Sequence, residues 1–95
     1  MRDARGLAAA YGVRVELVPL GDWGTVRLIA EYDPAGPTIR VNAAIRPDED
    51  AVERAVAHEL YHHREAIGAI ARLRDRAARE AAADAFAARL TRARA

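Results

Sequence analysis

His58, Glu59 and His62 form the pattern H-E-x-x-H within the stretch "AVAHELYHHREA", residues 55–66. Each residue of an α-helix advances by about 100°, so residues four apart lie about 40° from each other on one face. The two imidazoles could therefore bind one metal ion from the same side. Glu59 points about 100° away from His58, where its carboxylate could hold a metal-bound water beside the ion. The spacing indicates a metal site with an acid–base group next to it.

A catalytic zinc site usually has three protein ligands and one open position, so the two histidines need a partner. The chain has no cysteine, which leaves histidine, aspartate or glutamate. His63 points about 100° away from His62, and we expect it at the edge of the core or on the surface. Glu80 and Asp84 lie four residues apart further along the chain. We interpret Glu80 as a candidate third ligand and Asp84 as a candidate acceptor for the second N–H of a liganding histidine.

The pattern around these two carboxylates supports the interpretation. A helical projection of this segment has an apolar stripe formed by Leu73, Ala77, Ala83, Ala87 and Leu90. Glu80 and Asp84 fall inside the stripe. A carboxylate on the core side of a helix is costly unless it is paired or bound to a metal. We therefore expect both carboxylates to face the core, where they meet the histidines.

Alternation of apolar and polar residues predicts the elements that position these side chains. A glycine C-cap, two turn clusters and an aspartate N-cap separate the elements. The predicted elements are a short helix Arg2–Tyr11, strands Val13–Val18, Thr25–Tyr32 and Thr38–Ile45, a helix from Asp48 to about Ala66, and a final helix of about Ile70–Arg92. This order is typical of an α+β fold. We expect one domain over residues 1–95, with a short N-terminal helix, a three-stranded and mostly antiparallel sheet, and two long helices.

Composition excludes several classes of protein. The absence of cysteine excludes disulfides and thiolate metal sites. The chain has no hydrophobic run of the length that a signal peptide or a membrane span requires. We therefore expect a cytoplasmic protein without a membrane partner.

Charge is distributed unevenly along the chain. Residues 1–63 hold seven arginines against ten acidic residues, whereas residues 64–95 hold eight against four. The arginines that could contact nucleic-acid phosphates are Arg72, Arg74, Arg76, Arg79, Arg89, Arg92 and Arg94. The net charge is only +1, aromatic residues for base stacking are few, and no known nucleic-acid motif is present. We therefore do not expect nucleic acid to be the partner.

The two-helix segment resembles the ImmA/IrrE metallopeptidases. In that family an H-E-x-x-H helix is followed by a helix that carries a glutamate ligand in the pattern E-x-x-A-[DN]-x-F-A. Here "EAAADAFAARL" begins eighteen residues after His62, and the matching positions are Glu80, Ala83, Asp84, Phe86 and Ala87. "TIRVNAAI" resembles the family's strand before the active-site helix. The length is similar to that of the minigluzincins, compact relatives of the gluzincin peptidases, and the matches cover about Thr38 to Leu90.

This resemblance implies a zincin-like fold with an active-site helix and a glutamate helix, and it favours Glu80 as the third metal ligand. It also implies a metal-dependent endopeptidase that cleaves flexible protein segments through a metal-activated water, with Glu59 as the general base. Zinc is the ion expected for two histidines and a carboxylate, and manganese is the second choice. We expect an extended substrate to pair with the strand Thr38–Ile45 by strand addition.

Two other functions are open. The chain could be a latent or inactive zincin-like interaction module that binds a regulatory partner or a second copy of itself. The intact Glu59 argues against this alternative, because a purely structural site would not need it. The other is a nucleic-acid-binding protein that uses the C-terminal arginines, which would predict steeply salt-dependent binding.

Overall fold

A computed structural model of the protein describes residues 3–20, 22–23, 26–27 and 29–94, without the side chains of residues 22–23, 26–27 and 93–94. The described part is an α+β domain with three α-helices and a three-stranded mixed sheet. In chain order the elements are α1 (Ala4–Ala10), β1 (Arg14–Val18), β2 (Asp22–Trp23), β3 (Val26–Arg27), β4 (Ala30–Asp33), β5 (Thr38–Asn42), a 3₁₀ turn (Ala43–Ile45), α2 (Glu49–Ala66) and α3 (Arg76–Arg94).

Helix α2, which carries H-E-x-x-H, begins and ends where the sequence predicts. The Asp48 side chain accepts a hydrogen bond from the Ala51 N–H at 2.8 Å and so caps the first turn. At the other end Gly68 adopts a φ of 78°, a left-handed conformation that glycine tolerates best. The next N–H, of Ala69, then bonds back to the Arg64 carbonyl at 2.9 Å, which closes the helix end. Local capping chemistry therefore sets both ends of this helix.

The three-stranded sheet has the order β1-β5-β4, with β5 in the centre. β5 pairs antiparallel with β4 but parallel with β1. The prediction of a mostly antiparallel sheet is therefore wrong for one of the two pairs. The chain passes through the antiparallel β2–β3 hairpin and β4 before it reverses and inserts β5 beside β1. This path makes the first and last strands run in the same direction.

The predicted second strand, Thr25–Tyr32, is divided between two short strands. Its start belongs to the β2–β3 hairpin, in which Trp23 pairs with Val26, and its end is β4. Thr25 and Leu28 lie outside the described residues. Hairpin pairing therefore uses part of a segment whose alternation suggested one continuous strand.

The third strand is shorter than predicted. β5 ends at Asn42, and Ala43–Ile45 form the 3₁₀ turn, so Ala43 and Ile45 do not continue the inward-facing row. The buried Asn42 side chain accepts hydrogen bonds from the N–H groups of Leu20 at 2.9 Å and Ala44 at 3.0 Å. Side-chain capping of this kind competes with the strand ladder and ends it.

Helix α3 starts at Arg76, six residues later than the predicted Ile70. The Asp75 side chain accepts a hydrogen bond from the Ala78 N–H at 3.0 Å, so it acts as the N-cap. Leu73 lies before the helix with 43% of its surface exposed, and Ala77 is exposed as well. The prediction that Leu73 and Ala77 lie on the buried apolar stripe of this helix is therefore wrong. Ala83 and Ala87 are its buried members.

The core lies between the sheet and α2. Ile39 and Val41 of β5 face buried apolar residues of α2, among them Val56 and Leu60. Helices α1 and α3 both pack against α2, and Ala4, Ala8 and Ala87 belong to the same core. Because α2 contacts every other layer, the position of H-E-x-x-H is fixed by the whole core. Among the described residues, no helix is both long and apolar enough to cross a membrane.

Candidate metal centre

Helices α2 and α3 pack side by side in opposite directions. Asp84 lies opposite His58, and Glu80, one turn earlier in α3, lies opposite both His58 and His62. Further along this axis Ala55 and Ala87 are both buried, and their small side chains allow the helices to approach closely. The antiparallel arrangement brings the H-E-x-x-H face of α2 against the face of α3 that carries the two acidic residues.

The three predicted ligands lie together at this helix pair. The Glu80 Oε2 atom is 2.9 Å from His58 Nε2, and Glu80 Oε1 is 3.3 Å from His62 Nε2. One ligand atom from each of the three residues can be chosen so that all lie within 4.8 Å of one another. Neighbouring ligands of a tetrahedral zinc ion are about 3.4 Å apart, a spacing that the 3.3 Å between Glu80 Oε1 and His62 Nε2 matches and that the 2.9 Å between Glu80 Oε2 and His58 Nε2 falls below. That the cluster binds a metal stays a prediction.

Asp84 lies beside the first histidine. Its Oδ1 atom is 2.8 Å from His58 Nδ1, the nitrogen that faces away from Glu80. The predicted burial of the two carboxylates is wrong, because 47% of the Glu80 side chain and 75% of the Asp84 side chain are exposed. Both reach the histidines from the solvent edge of α3, while Ala83 and Ala87 occupy its core side.

The second histidine has an acidic partner that the sequence analysis missed. Glu65 Oε1 lies 2.7 Å from His62 Nδ1, and only 2% of the Glu65 side chain is exposed. The Arg79 guanidinium donates to both Glu65 oxygens, at 3.1 and 3.2 Å. These hydrogen bonds hold the pKa of the Glu65 carboxyl below its usual range, and His62 lowers it further. The available signals were the three-residue spacing of Glu65 from His62 and an arginine directly before Glu80.

The hydrogen bonds at both Nδ1 atoms bear on whether a metal ion fits. An ionised carboxylate only accepts hydrogen bonds, so Asp84 and Glu65 require a proton on each Nδ1. A neutral imidazole with its proton on Nδ1 presents a lone pair at Nε2. Two such lone pairs and the Glu80 carboxylate then face one another. The 2.9 Å between His58 Nε2 and Glu80 Oε2 is a hydrogen-bond distance, so either a proton on Nε2 or a shared cation satisfies this contact. The donor set of two imidazoles and one carboxylate fits zinc, and its oxygen also suits manganese.

Glu59 lies beside this cluster with a carboxyl that is harder to ionise than usual. Burial raises its pKa from 4.5 to about 6, and the negative charges of Glu80 and Glu31 add to the rise. His58 and His62 act in the opposite direction when they are charged. A pKa near neutrality suits a carboxylate that both accepts and returns a proton.

No family model, curated protein or solved structure matches this chain. The resemblance of the two helices to the ImmA/IrrE family therefore stays a prediction.

The third histidine of H-E-x-x-H-H lies on the opposite side of α2. His63 is buried, and its Nδ1 atom shares a hydrogen bond of 2.7 Å with the Tyr32 hydroxyl. Tyr11 and Tyr32 both contact its ring edge to face. Burial lowers the pKa of His63, which favours the neutral imidazole. His63 is thus a core-edge residue, in line with the expectation, and joins α2 to α1 and β4.

Glu59→Gln is expected to stabilise the metal-free protein at pH 8 by about 2 kcal/mol, the free energy that corresponds to a pKa raised from 4.5 to about 6. The folded pKa lies above the unfolded one, so the native carboxyl is favoured in its protonated form. The destabilisation by wild-type Glu59 is therefore absent below about pH 4.5 and develops as the pH rises through 6. Urea unfolding of both chains with chelator at pH 4.5 and 8 measures this. An equal difference at both pH values would contradict it.

Proposed function

We propose that this protein is a zincin-like metallopeptidase that cleaves flexible protein segments. One observation carries the proposal: the Glu80 carboxylate faces the Nε2 atoms of both histidines, while an acidic side chain occupies each Nδ1. Carboxylate partners at the second nitrogen are usual for histidines that ligate a metal, because they set the tautomer and orient the ring. A structural site would also use this arrangement. Glu59 lies beside it with a pKa raised to about 6, and this acid–base group favours a hydrolytic role over a structural one.

His58, His62 and Glu80 would hold the ion. When bound, zinc or manganese supplies Lewis-acid chemistry, which polarises a carbonyl and makes a coordinated water more acidic. Three protein ligands leave a position open for that chemistry. The Glu80 side chain is half exposed, so a peptide from solvent could reach the cluster.

Glu59 would move the proton. Its carboxylate accepts a proton from the attacking water and delivers it to the amine that leaves when the peptide bond breaks. The raised pKa serves both steps, because the group binds the proton readily and still releases it near neutral pH. Its partial burial also keeps bulk water from competing for the same hydrogen bonds.

The strand that a peptide substrate would pair with differs from the predicted one. The prediction that Thr38–Ile45 pairs with an extended peptide is wrong, because β5 is the central strand and both of its edges are occupied. β4 is an edge strand, and no described strand pairs with its outer side. Glu31 of β4 lies close enough to Glu59 to raise its pKa. We therefore assign strand addition to the outer edge of β4.

Metal removal provides the direct test. The protein stripped by chelator is expected to leave an unstructured protein substrate intact, and stoichiometric zinc or manganese is expected to restore cleavage. Glu80→Gln removes the charge of the third ligand and is expected to weaken zinc binding by more than about 100-fold, beyond the effect of an outer partner. Isothermal titration gives the affinity and gel analysis gives the cleavage.

Two results would contradict the proposal. Cleavage that persists in excess chelator would show that a metal is not required. Zinc binding at full affinity by Glu80→Gln would remove this residue from the ligand set. If zinc binds the wild type but no substrate is cleaved, the latent interaction module becomes the better description.

A further inference from the structure

A short segment next to the candidate metal centre combines exposed apolar side chains with arginines. The connector, residues 67–75, links α2 to α3. Ile67 is 54% exposed and Leu73 is 43% exposed. Arg72 and Arg74 are also exposed, and exposed Arg76 follows directly at the start of α3. Within the described part of the chain, no ion pair or hydrogen bond neutralises these three arginines.

The backbone adds to the positive charge of this surface. The N-terminal end of a helix carries a partial positive charge, which acidic residues in the first turn usually offset. The first turn of α3 has no acidic residue and instead begins with Arg76. Asp75 is adjacent, but its carboxylate already caps the helix through the Ala78 N–H. The N-terminal end of α3 and the three arginine side chains therefore both favour a negatively charged ligand.

The connector lies close to the candidate metal centre along both helices. His62 is four residues before the last residue of α2, and Glu80 is four residues after the first residue of α3. Four residues of helix correspond to about 6 Å. The Glu65–Arg79 hydrogen bonds also tie the two helix ends together, so the connector is held beside the site. A peptide at the metal centre can therefore contact the connector with its neighbouring residues.

We propose that the connector, with Arg76, binds an acidic stretch of the substrate next to the scissile bond. This inference rests on the proposed peptidase function and adds the class of substrate. Carboxylates of the peptide pair with Arg72, Arg74 and Arg76, and an apolar side chain packs against Ile67 and Leu73. A peptide fits better than nucleic acid, because the connector has no aromatic residue on which bases could stack. Two apolar side chains also offer little surface for insertion into a membrane.

Three quenched fluorescent peptides test this proposal. They share one flexible sequence and carry four glutamates, four glutamines or four lysines beside the cleavage region. The zinc-loaded wild type is expected to cleave the acidic peptide with a kcat/KM about tenfold above that of the neutral one, the size that three exposed ion pairs give together. The lysine peptide is expected to be the poorest substrate. The preference should shrink in 0.5 M salt, where exposed charges are screened.

Charge reversal identifies the surface. The variant Arg72→Glu/Arg74→Glu is expected to lose the preference for the acidic peptide and to cleave the lysine peptide with a higher kcat/KM than the acidic one. The matched control is Arg89→Glu/Arg92→Glu, which makes the same change in charge at exposed positions near the other end of α3. This control is expected to keep the preference for the acidic peptide. Fluorescence anisotropy of the same peptides with zinc-loaded Glu59→Gln measures binding without cleavage.

The two assays separate failure of this inference from failure of the peptidase function. Equal kcat/KM for all three peptides, or an acidic preference that survives Arg72→Glu/Arg74→Glu, would overturn the inference alone. If no peptide is cleaved, anisotropy decides: acidic binding that this charge reversal abolishes keeps the surface, and equal binding rejects it. Binding of single-stranded DNA or anionic vesicles through the same arginines, without a peptide preference, would assign the connector to that other partner.

Discussion

Glu59→Gln is expected to lower kcat/KM for an unstructured protein substrate by about 10²–10⁴-fold while zinc remains bound. The glutamine amide keeps the size of the side chain but can neither accept nor return a proton at neutral pH. His58, His62 and Glu80 are unchanged, so the affinity for zinc should stay within a few-fold of the wild type. A large loss of rate with an intact metal site would assign the proton transfers to Glu59.

A second neutral variant of α2 controls for charge. Glu49→Gln removes a carboxylate from the first turn, where the side chain is 65% exposed and pairs with Arg5. It is expected to cleave at the wild-type rate. Zinc content, determined on the same samples, distinguishes loss of metal from loss of catalysis. Equal rates for Glu59→Gln and the wild type would exclude Glu59 as the base, and equal losses in both variants would indicate a general effect of charge.

The arrangement of the candidate site can be predicted from the sequence more accurately than the pairing of the sheet, because the site depends on local periodicity. His58 and His62 share a face through the period of one helix, and Asp48 and Gly68 mark that helix by capping. In the next helix, Glu80 and Asp84 are four residues apart and share a face by the same helical period. Two helices in short succession pack antiparallel with little freedom, so their acidic and histidine faces meet.

The sheet could not be predicted to the same degree, because its pairing is set by distant contacts. Alternation indicates a strand but is the same for parallel and antiparallel neighbours. That β5 inserts between β1 and β4 depends on the path of the whole chain, and this insertion decides which edge can accept a substrate. The start of α3 was misplaced for a more local reason, since the apolar residues of the connector continue the helical pattern up to the cap at Asp75.

The role of Glu65 is not predicted from the sequence, because it depends both on a local contact with His62 and on a distant contact with Arg79. Glu65 lies three residues after His62, an ordinary spacing on a helix surface, and its meaning depends on Arg79 from the next helix. A buried carboxylate is costly without a charged partner. The bidentate Arg79 supplies that partner and allows Glu65 to stay ionised while it accepts the His62 N–H. Through Glu65, His62 of α2 is therefore joined to Arg79 of α3, the residue directly before Glu80.

Glu65→Gln is expected to weaken zinc binding by about 10–100-fold, whereas Asp84→Asn is expected to weaken it only a few-fold. Both changes replace a carboxylate that accepts from a histidine Nδ1 by an amide of the same shape. They differ in exposure, since the Glu65 side chain is 2% exposed and that of Asp84 is 75% exposed. Water can take the place of the exposed Asp84 oxygen more readily than that of the buried Glu65 oxygen. Competition with a zinc chelator of known affinity measures both variants on one scale.

The pH dependence of zinc binding by an Arg79 variant tests whether the burial of Glu65 explains its effect on zinc affinity. Arg79→Met leaves the Glu65 carboxylate buried without its cation, so its pKa should rise and its hydrogen bond to His62 should weaken. Zinc affinity should then fall most below the new pKa, where Glu65 is protonated, and recover as the pH rises. The loss of zinc-binding free energy in the double variant Glu65→Gln/Arg79→Met should not exceed the sum of the losses in the two single variants. The reason is that the two residues act through one contact. Equal effects of Glu65→Gln and Asp84→Asn would instead mean that hydrogen bonding to the histidines matters and shielding from water does not.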